Sequence, residues 1–417
     1  MYRKAIIKGL RFLRRVQNAD KGIPATVSGV VSGCWTSGET LETLLLSPFH
    51  DKSINGFALD LIQFLQSSQI KTGKDRGGWP LVIEGKKAST MATGHNLAAL
   101  VLAQNHFEHD TQIVTSVQDA VNIGYEWLEK HQNADGGWGV EPNGGADGSV
   151  TRMISTFYAL RAYFAQSKTV DTSKTVRDGI IWILGVRNID NGFGGRKGYV
   201  SDPCNTARAI TALLRSQQYT TKDPVIRTGL NYITKAKPYR KLWPLDTEVY
   251  VTEGAPGQTV YNSNTTTDVL EAYLVANQYN KNVENLVSWF IENQQDDGSW
   301  FLGANSTFVR DIKTWSTNEA LYVLSLASNA VSEQYVNRLR IRVATLKRLS
   351  IALFLVIVFQ FGFIIKLPGN LIQLWYQIPE NIRNIIIQGV ILALAINLIS
   401  SFLYDKLPPQ QKKRNET

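Results

Sequence analysis

Four ionisable side chains, Glu39, His95, Arg208 and Glu319, fall at one equivalent position of a repeated helical pattern when the segments are registered on their Ala–Leu pairs. Ser155 and Val269 fill the same place in the two remaining segments. The position four residues earlier holds Trp35, Met91, Thr151, Cys204, Thr265 and Trp315. Residues one turn apart share a helix face, so the two layers sketch a pocket with aromatic and sulfur-bearing walls and several ionisable groups. A His95–Glu39 contact would shift proton affinity or hold a polar head group. Arg208 would receive an anionic head group. Equally, Arg208 pairing with Glu39 or Glu319 would fill the space without chemistry.

These side chains need elements that hold them in a circle. Helical stretches recur that end in a glutamine or polar turn and then a glycine–aromatic corner, as in 59–80, 121–139, 176–195, 226–244 and 283–300. The stretch at 8–22 has the same polar turn, and its basic amphipathic helix reads as the first outer helix. The corner aromatics Trp79, Trp138, Phe193, Trp243 and Trp300 lie 50–59 residues apart, enough for two helices and a long loop. A second helix follows each corner, at 36–46, 93–104, 152–166, 205–216, 266–278 and 316–328. These second helices are apolar over a wider arc, as expected for burial on more than one side. Six such hairpins bury both ends of the array if the first meets the last. Ring and open solenoid remain alternatives at this point.

The corner sequences QNADGGWG (132–139) and QQDDGSW (294–300) resemble the QW motif of the squalene–hopene and oxidosqualene cyclase and protein prenyltransferase β-subunit superfamily. The resemblance spans about residues 5–330. It implies an all-α fold, a single α/α toroid of about six hairpins with an inner and an outer ring. It also implies roles for SDPCNTARAITALL (201–214), which is similar to the DxDDTA segment that protonates an alkene or epoxide. Asp202 matches the first Asp, Cys204 the central catalytic Asp, and Asn205 the last. The departure falls on the proton donor: a thiol has a pKa of about 8.5 against about 3.9 for a carboxylic acid. Asp202 and Cys204 are the candidate catalytic pair by this match. The Asp-x-Cys pair also matches two zinc ligands of the prenyltransferases, with Asp268 near the place of their third ligand, a histidine. No histidine follows His131, so a zinc cofactor would need an Asp/Cys/Asp set.

Other acidic and histidine clusters read as structure. Asp135, Asp190 and the Asp296–Asp297 pair belong to corners, where a carboxylate caps turn amides. Asp246, Glu248 and Glu253, and His106, His109 and Asp110, read as solvated loops.

The net charge of +9 is unevenly placed. Residues 336–417 hold eleven basic and three acidic residues, so the large N-terminal part is nearly neutral. A basic tail beside apolar segments points to anionic lipid and not to nucleic acid. The stretches 350–365 and 385–404 are apolar and uncharged, the second of spanning length. Basic flanks on both sides predict two transmembrane helices with the N-terminal domain and C-terminus cytoplasmic, a multi-pass cell-membrane placement. The domains expected are 1–335, the toroid, and 336–417, a basic juxtamembrane segment, two-helix anchor and tail. Cys34 and Cys204 require no oxidising compartment. Walker A, dinucleotide-binding, HExxH and GxSxG motifs are missing from the sequence.

The function expected is a membrane-anchored, terpene-cyclase-like protein with membrane lipid as partner, binding an isoprenoid or other elongated lipid in its central cavity. One alternative is a terpene cyclase or prenyl-transfer enzyme with rewired catalytic groups. Another is a membrane effector or scaffold with a sensing toroid.

Overall fold

The structure, a computed structural model, describes residues 2–24, 29–49, 52–236, 243–244, 261–301, 313–331, 345 and 379–380. The chain divides into two units, Met1–Ala330 and Val331–Thr417. The first holds all of the hairpins.

Outer helices are α1 (Tyr2–Arg15), α3 (Lys52–Ser68), α5 (Thr111–Lys130), α8 (Lys174–Gly185), α10 (Pro224–Lys235) and α12 (Lys281–Glu292). Each buries a single stripe; α1 turns Ala5, Ile6, Gly9, Leu10 and Leu13 inward. Inner helices are α2 (Cys34–Leu46), α4 (Thr90–His106), α7 (Met153–Ala165), α9 (Pro203–Arg215), α11 (Ser263–Val275) and α13 (313–331). These are buried nearly all round: every residue of α7 from Met153 to Tyr163 is inside. A one-turn helix, α6 (Ala146–Ser149), lies in the loop before α7.

The corners join outer to inner helices by repeated hydrogen bonds. The indole N–H groups of Trp79, Trp138 and Trp300 donate to Leu65, Leu128 and Phe290 carbonyls at 2.7, 2.8 and 2.6 Å. Each acceptor lies in the last turn of an outer helix, where carbonyls lack intrahelical partners. The backbone N–H of each corner residue donates to a hydroxyl in the first turn of the next inner helix. The pairs are Ile23 to Ser37, Trp79 to Thr93, Trp138 to Thr156, Phe193 to Thr206 and Trp300 to Thr317, at 2.9–3.1 Å.

Glutamine links one hairpin to the next. Gln132 donates to Gly136 O within its corner and to Thr175 O in α8; Gln294 does the same to Gly298 O and Ala5 O. The corner carboxylates Asp135, Asp190 and Asp297 accept from turn amides and nearby hydroxyls. Gly136 has φ +95°, and a Cβ there would sit 2.5 Å from Asp178 O of α8, so only glycine fits the close passage. Short two-residue ladders, β1–β2 (Ile23–Pro24 with Ser32–Gly33), β3–β4 (Phe193–Gly194 with Ser201–Asp202) and β5–β6 (Trp243–Pro244 with Tyr261–Asn262), align three of the loops with the inner helices they feed.

The ring closes. On its outer side Gln294 bonds Ala5 O in α1 and Tyr2 bonds Tyr279 at 2.6 Å. On its inner side Thr40 of α2 donates to Asn318 of α13 at 3.0 Å, and Asn318 donates to Thr36 O at 3.1 Å. The open-solenoid alternative is thereby excluded.

The expectation of two transmembrane helices is corrected. Among the described residues no helix is long and apolar enough to cross a membrane. The segments 350–365 and 385–404 lie outside the described residues. The membrane anchor, the multi-pass placement and the membrane-lipid partner therefore carry no further argument.

Candidate active site

The corner hydroxyls set a common register for the inner helices. Two residues beyond each of them stand Glu39, His95, Tyr158, Arg208 and Glu319; Asp268 takes the same place, five residues after the start of α11. One turn further come Glu42, Arg161, Glu271 and Tyr322. Every one of these residues except Arg208 lines a single cavity of about 30 Å³, and all are buried but Glu319, which is half-buried. Close approach of α2 and α4 depends on Gly38, where a Cβ would lie 2.0 Å from Asn96 Oδ1. That approach brings Glu39 and His95 together.

Three ion pairs organise the cluster. Arg161 contacts Glu42 through Nε and a terminal nitrogen at 2.9 and 2.8 Å. Arg208 pairs with Asp268 at 3.0 Å, and Arg215 with Glu271 at 2.7 Å. Tyr322 donates to Glu271 at 2.8 Å and carries the Arg161 guanidinium over its ring at 4.2 Å. Each of the three arginines thus has a carboxylate, and Glu39 and Glu319 remain as surplus acids.

Those two acids are held protonated. Burial and the charge of Asp268 raise Glu319 from 4.5 to about 8, although Thr267 and Trp315 donate to its two oxygens at 2.7 and 2.8 Å. Burial and the neighbouring Glu319 raise Glu39 well above the ordinary carboxyl range. Burial also raises Asp268, against the pull of Arg208 and Cys204. Glu42 goes the other way: against burial, Arg161 and His95 hold it at about 2. His95, pushed down to about 4 by burial, is neutral at pH 7.

His95 sits between two carboxyl groups of opposite character. Its Nε2 is 3.4 Å from Glu39 and its Nδ1 is 3.6 Å from Glu42. Tyr158 packs on the ring at 4.1 Å. Among the described residues, Glu39 Oε2 and both ring nitrogens of His95 have no hydrogen-bond partner. One turn toward the helix starts, Trp35 and Trp315 meet edge to face at 5.0 Å, and Trp35 is 6.2 Å from His95. A carboxylic acid beside two aromatic rings is a proton donor next to surfaces that stabilise positive charge.

The residues singled out in the sequence divide. Trp35, Glu39, His95, Arg208, Asp268, Trp315 and Glu319 come together in or beside the cluster. Cys204 joins it by donating to Asp268 at 3.1 Å. Asp202 is engaged at the start of α9, accepting from Asn205 N at 2.8 Å and Asn205 Nδ2 at 2.6 Å. Thr151 lies in a corner, bonded to Asp135 and Asn133. Thr265 is buried, one position out of register, and Met91 is half-buried in the aromatic layer above the acids.

Ser155 and Val269 are buried but out of register; Tyr158 and Asp268 occupy the layer assigned to them. The residues missed were Glu42, Tyr158, Arg161, Arg215, Glu271 and Tyr322. Counting from the corner-bonded hydroxyl finds the layer and, one turn on, its partners. Zinc does not fit. The Arg208 guanidinium occupies Asp268, Asp202 caps a helix, and among the described residues no three ligands are grouped for a metal.

Residues 34–303 match the family described as the prenyltransferase alpha-alpha toroid domain. A comparison with curated proteins gives no match. Among solved structures, cellobiose 2-epimerase from Bacillus thermoamylovorans superposes with a TM-score of 0.61 at 13% identity, covering 79% of this chain and 98% of that one. A wild-type glycosidase gives 0.57 at 10% identity, covering 78% and 96%. An arginine-to-alanine variant of the type II terpene cyclase MstE from Scytonema, in complex with its substrate geranylgeranyl dihydroxybenzoate, gives 0.53 at 13% identity, covering 79% and 98%. At these identities the structural likeness concerns the fold alone. With six closed hairpins and a family match over most of the ring, the chain belongs to the prenyltransferase α/α-toroid family.

Proposed function

We propose that the protein is a terpene-cyclase-type enzyme with rewired catalytic groups, in which Glu39 is the general acid. The observation that carries this reading is the Glu39 carboxyl: buried, kept protonated, with one oxygen unpartnered at a cavity. The family's acid position on α9 holds Cys204 instead, and Cys204 is bonded to Asp268. The acid has moved to the seam between α2 and α13.

The strength of the acid selects the substrate. A carboxyl whose pKa is raised by burial is a weak donor, ill suited to an unactivated alkene but matched to an oxygen leaving group near neutral pH. The substrate class is therefore an oxidised isoprenoid, an epoxide. A cavity of about 30 Å³ has room for about two waters, so only the reacting oxygen enters it. The hydrocarbon stays on the layer of Trp35, Met91, Ile154 and Trp315, whose indoles face the developing cation.

The test is turnover of oxidosqualene and of terminal epoxyfarnesol by the full chain, followed by mass spectrometry. Glu39→Gln keeps the shape and removes the proton; the rate should fall by about 10²-fold or more. A wild-type rate in Glu39→Gln, or no turnover of either epoxide, refutes the reading.

A further inference from the structure

The cavity holds more polar capacity than an acid needs. Two ring nitrogens of His95 and one oxygen of Glu39 are buried there without hydrogen-bond partners among the described residues. A buried polar group left unsatisfied destabilises the fold, and a polar space of about 30 Å³ takes about two waters that can satisfy these groups. The Glu42 charge biases the imidazole. Held by Arg161 at 2.8 Å, Glu42 faces Nδ1 at 3.6 Å, which favours the tautomer with the ring proton on Nδ1 and the Nε2 lone pair toward Glu39. Acid and base thus flank the same small wet space.

We infer that a cavity water is a co-substrate, that His95 oriented by Glu42 is its base, and that the reaction ends in addition of water, giving a diol from an epoxide. This inference rests on the acid-initiated reading above. Glu39 gives its proton to the epoxide oxygen as that oxygen's bond to the more substituted carbon breaks, leaving a carbon cation. A cavity water adds its oxygen to the cation to form the new C–O bond, and one of that water's protons passes to His95 Nε2. The imidazolium then returns a proton to the Glu39 carboxylate across the 3.4 Å contact. One water is consumed, and no oxidant or reductant is required.

The experiment uses the full chain with terminal epoxyfarnesol and oxidosqualene in water enriched in heavy oxygen, with heat-inactivated protein as the blank. The expected product is a diol carrying one heavy oxygen. Enzymatic products that are all olefins or carbocycles without label overturn the water step while the Glu39 acid stands. No turnover of either epoxide overturns both. His95→Gln removes the base, and Val323→Leu narrows the same cavity by one methylene from its wall. In each, the ratio of labelled diol to unlabelled product should fall about tenfold. A wild-type ratio in both variants also overturns the proposal, and Val323→Leu keeps the test open should His95→Gln not fold.

Discussion

Replacing Glu319 by glutamine should remove one carboxyl's share of the stability this ring loses toward alkaline pH, while Glu39 and Asp268, also raised, keep theirs. Glu319 is half-buried at the cavity wall and titrates at about 8 in the fold, against an ordinary value of 4.5. A carboxyl raised in the folded state binds protons more tightly there than in the unfolded chain. Its contribution is therefore at its maximum below about pH 4.5, declines as pH rises, and is lost above about pH 8. At about 1.4 kcal/mol per tenfold change in proton affinity, the loss across that window is at most about 5 kcal/mol. Glutamine is nearly isosteric: its carbonyl accepts from Trp315 Nε1, and its amide donates to Thr267 Oγ1 in place of the present bonds. Urea unfolding at several pH values between 5 and 8 would compare the two proteins. Through that range the wild type should lose stability relative to Glu319→Gln, because the slopes from Glu39, Asp268 and His95 are common to both proteins. The acid side should be shared, because in both proteins His95 loses its contribution as pH falls from about 6.5 to about 4 and Glu42 as it falls from about 4.5 to about 2. Parallel profiles from pH 5 to 8 would refute the reasoning, since they would mean that Glu319 is not a neutral acid in the fold.

Two further perturbations test the frame around the acids. Arg161→Met strands Glu42 without its guanidinium and should cost about 3–5 kcal/mol in urea unfolding, much of it recovered in the double variant with Glu42→Gln; a neutral single change would deny the pairing. Gly136→Ala forces a side chain into positive φ and against Asp178 O, and should cost about 1–3 kcal/mol or more by the same assay, whereas an unchanged midpoint would show that the corner does not press on α8.

The hairpins were legible because their instructions are local. Gln132, Gly136 and Trp138 sit in one short segment, and their bonds reach only a corner and the adjoining helices. The same holds for Gln294, Gly298 and Trp300. Glu39, His95, Arg208 and Glu319 fell on one layer because their helices share an apolar pattern in good register. The third and fifth repeats slipped. In the third inner helix the Ala159–Leu160 pair directly follows Tyr158, whereas Ala99–Leu100 begins four residues after His95, so registering on that pair put Ser155 in the place of Tyr158.

Spacing specified six helical hairpins and named four of the ionisable groups that face their common centre, whereas the ring was only what the family resemblance implied until the first and last hairpins were seen to meet. Spacing could not say which acids are neutral. That depends on Arg161 reaching Glu42, 119 residues away in the chain, on Arg208 and Arg215 taking Asp268 and Glu271, and on Glu39 and Glu319 having no paired arginine or lysine among the described residues. Charge state in a buried cluster is set by desolvation and by the count of opposite charges within a few ångströms. Both quantities come into existence only when the helices close.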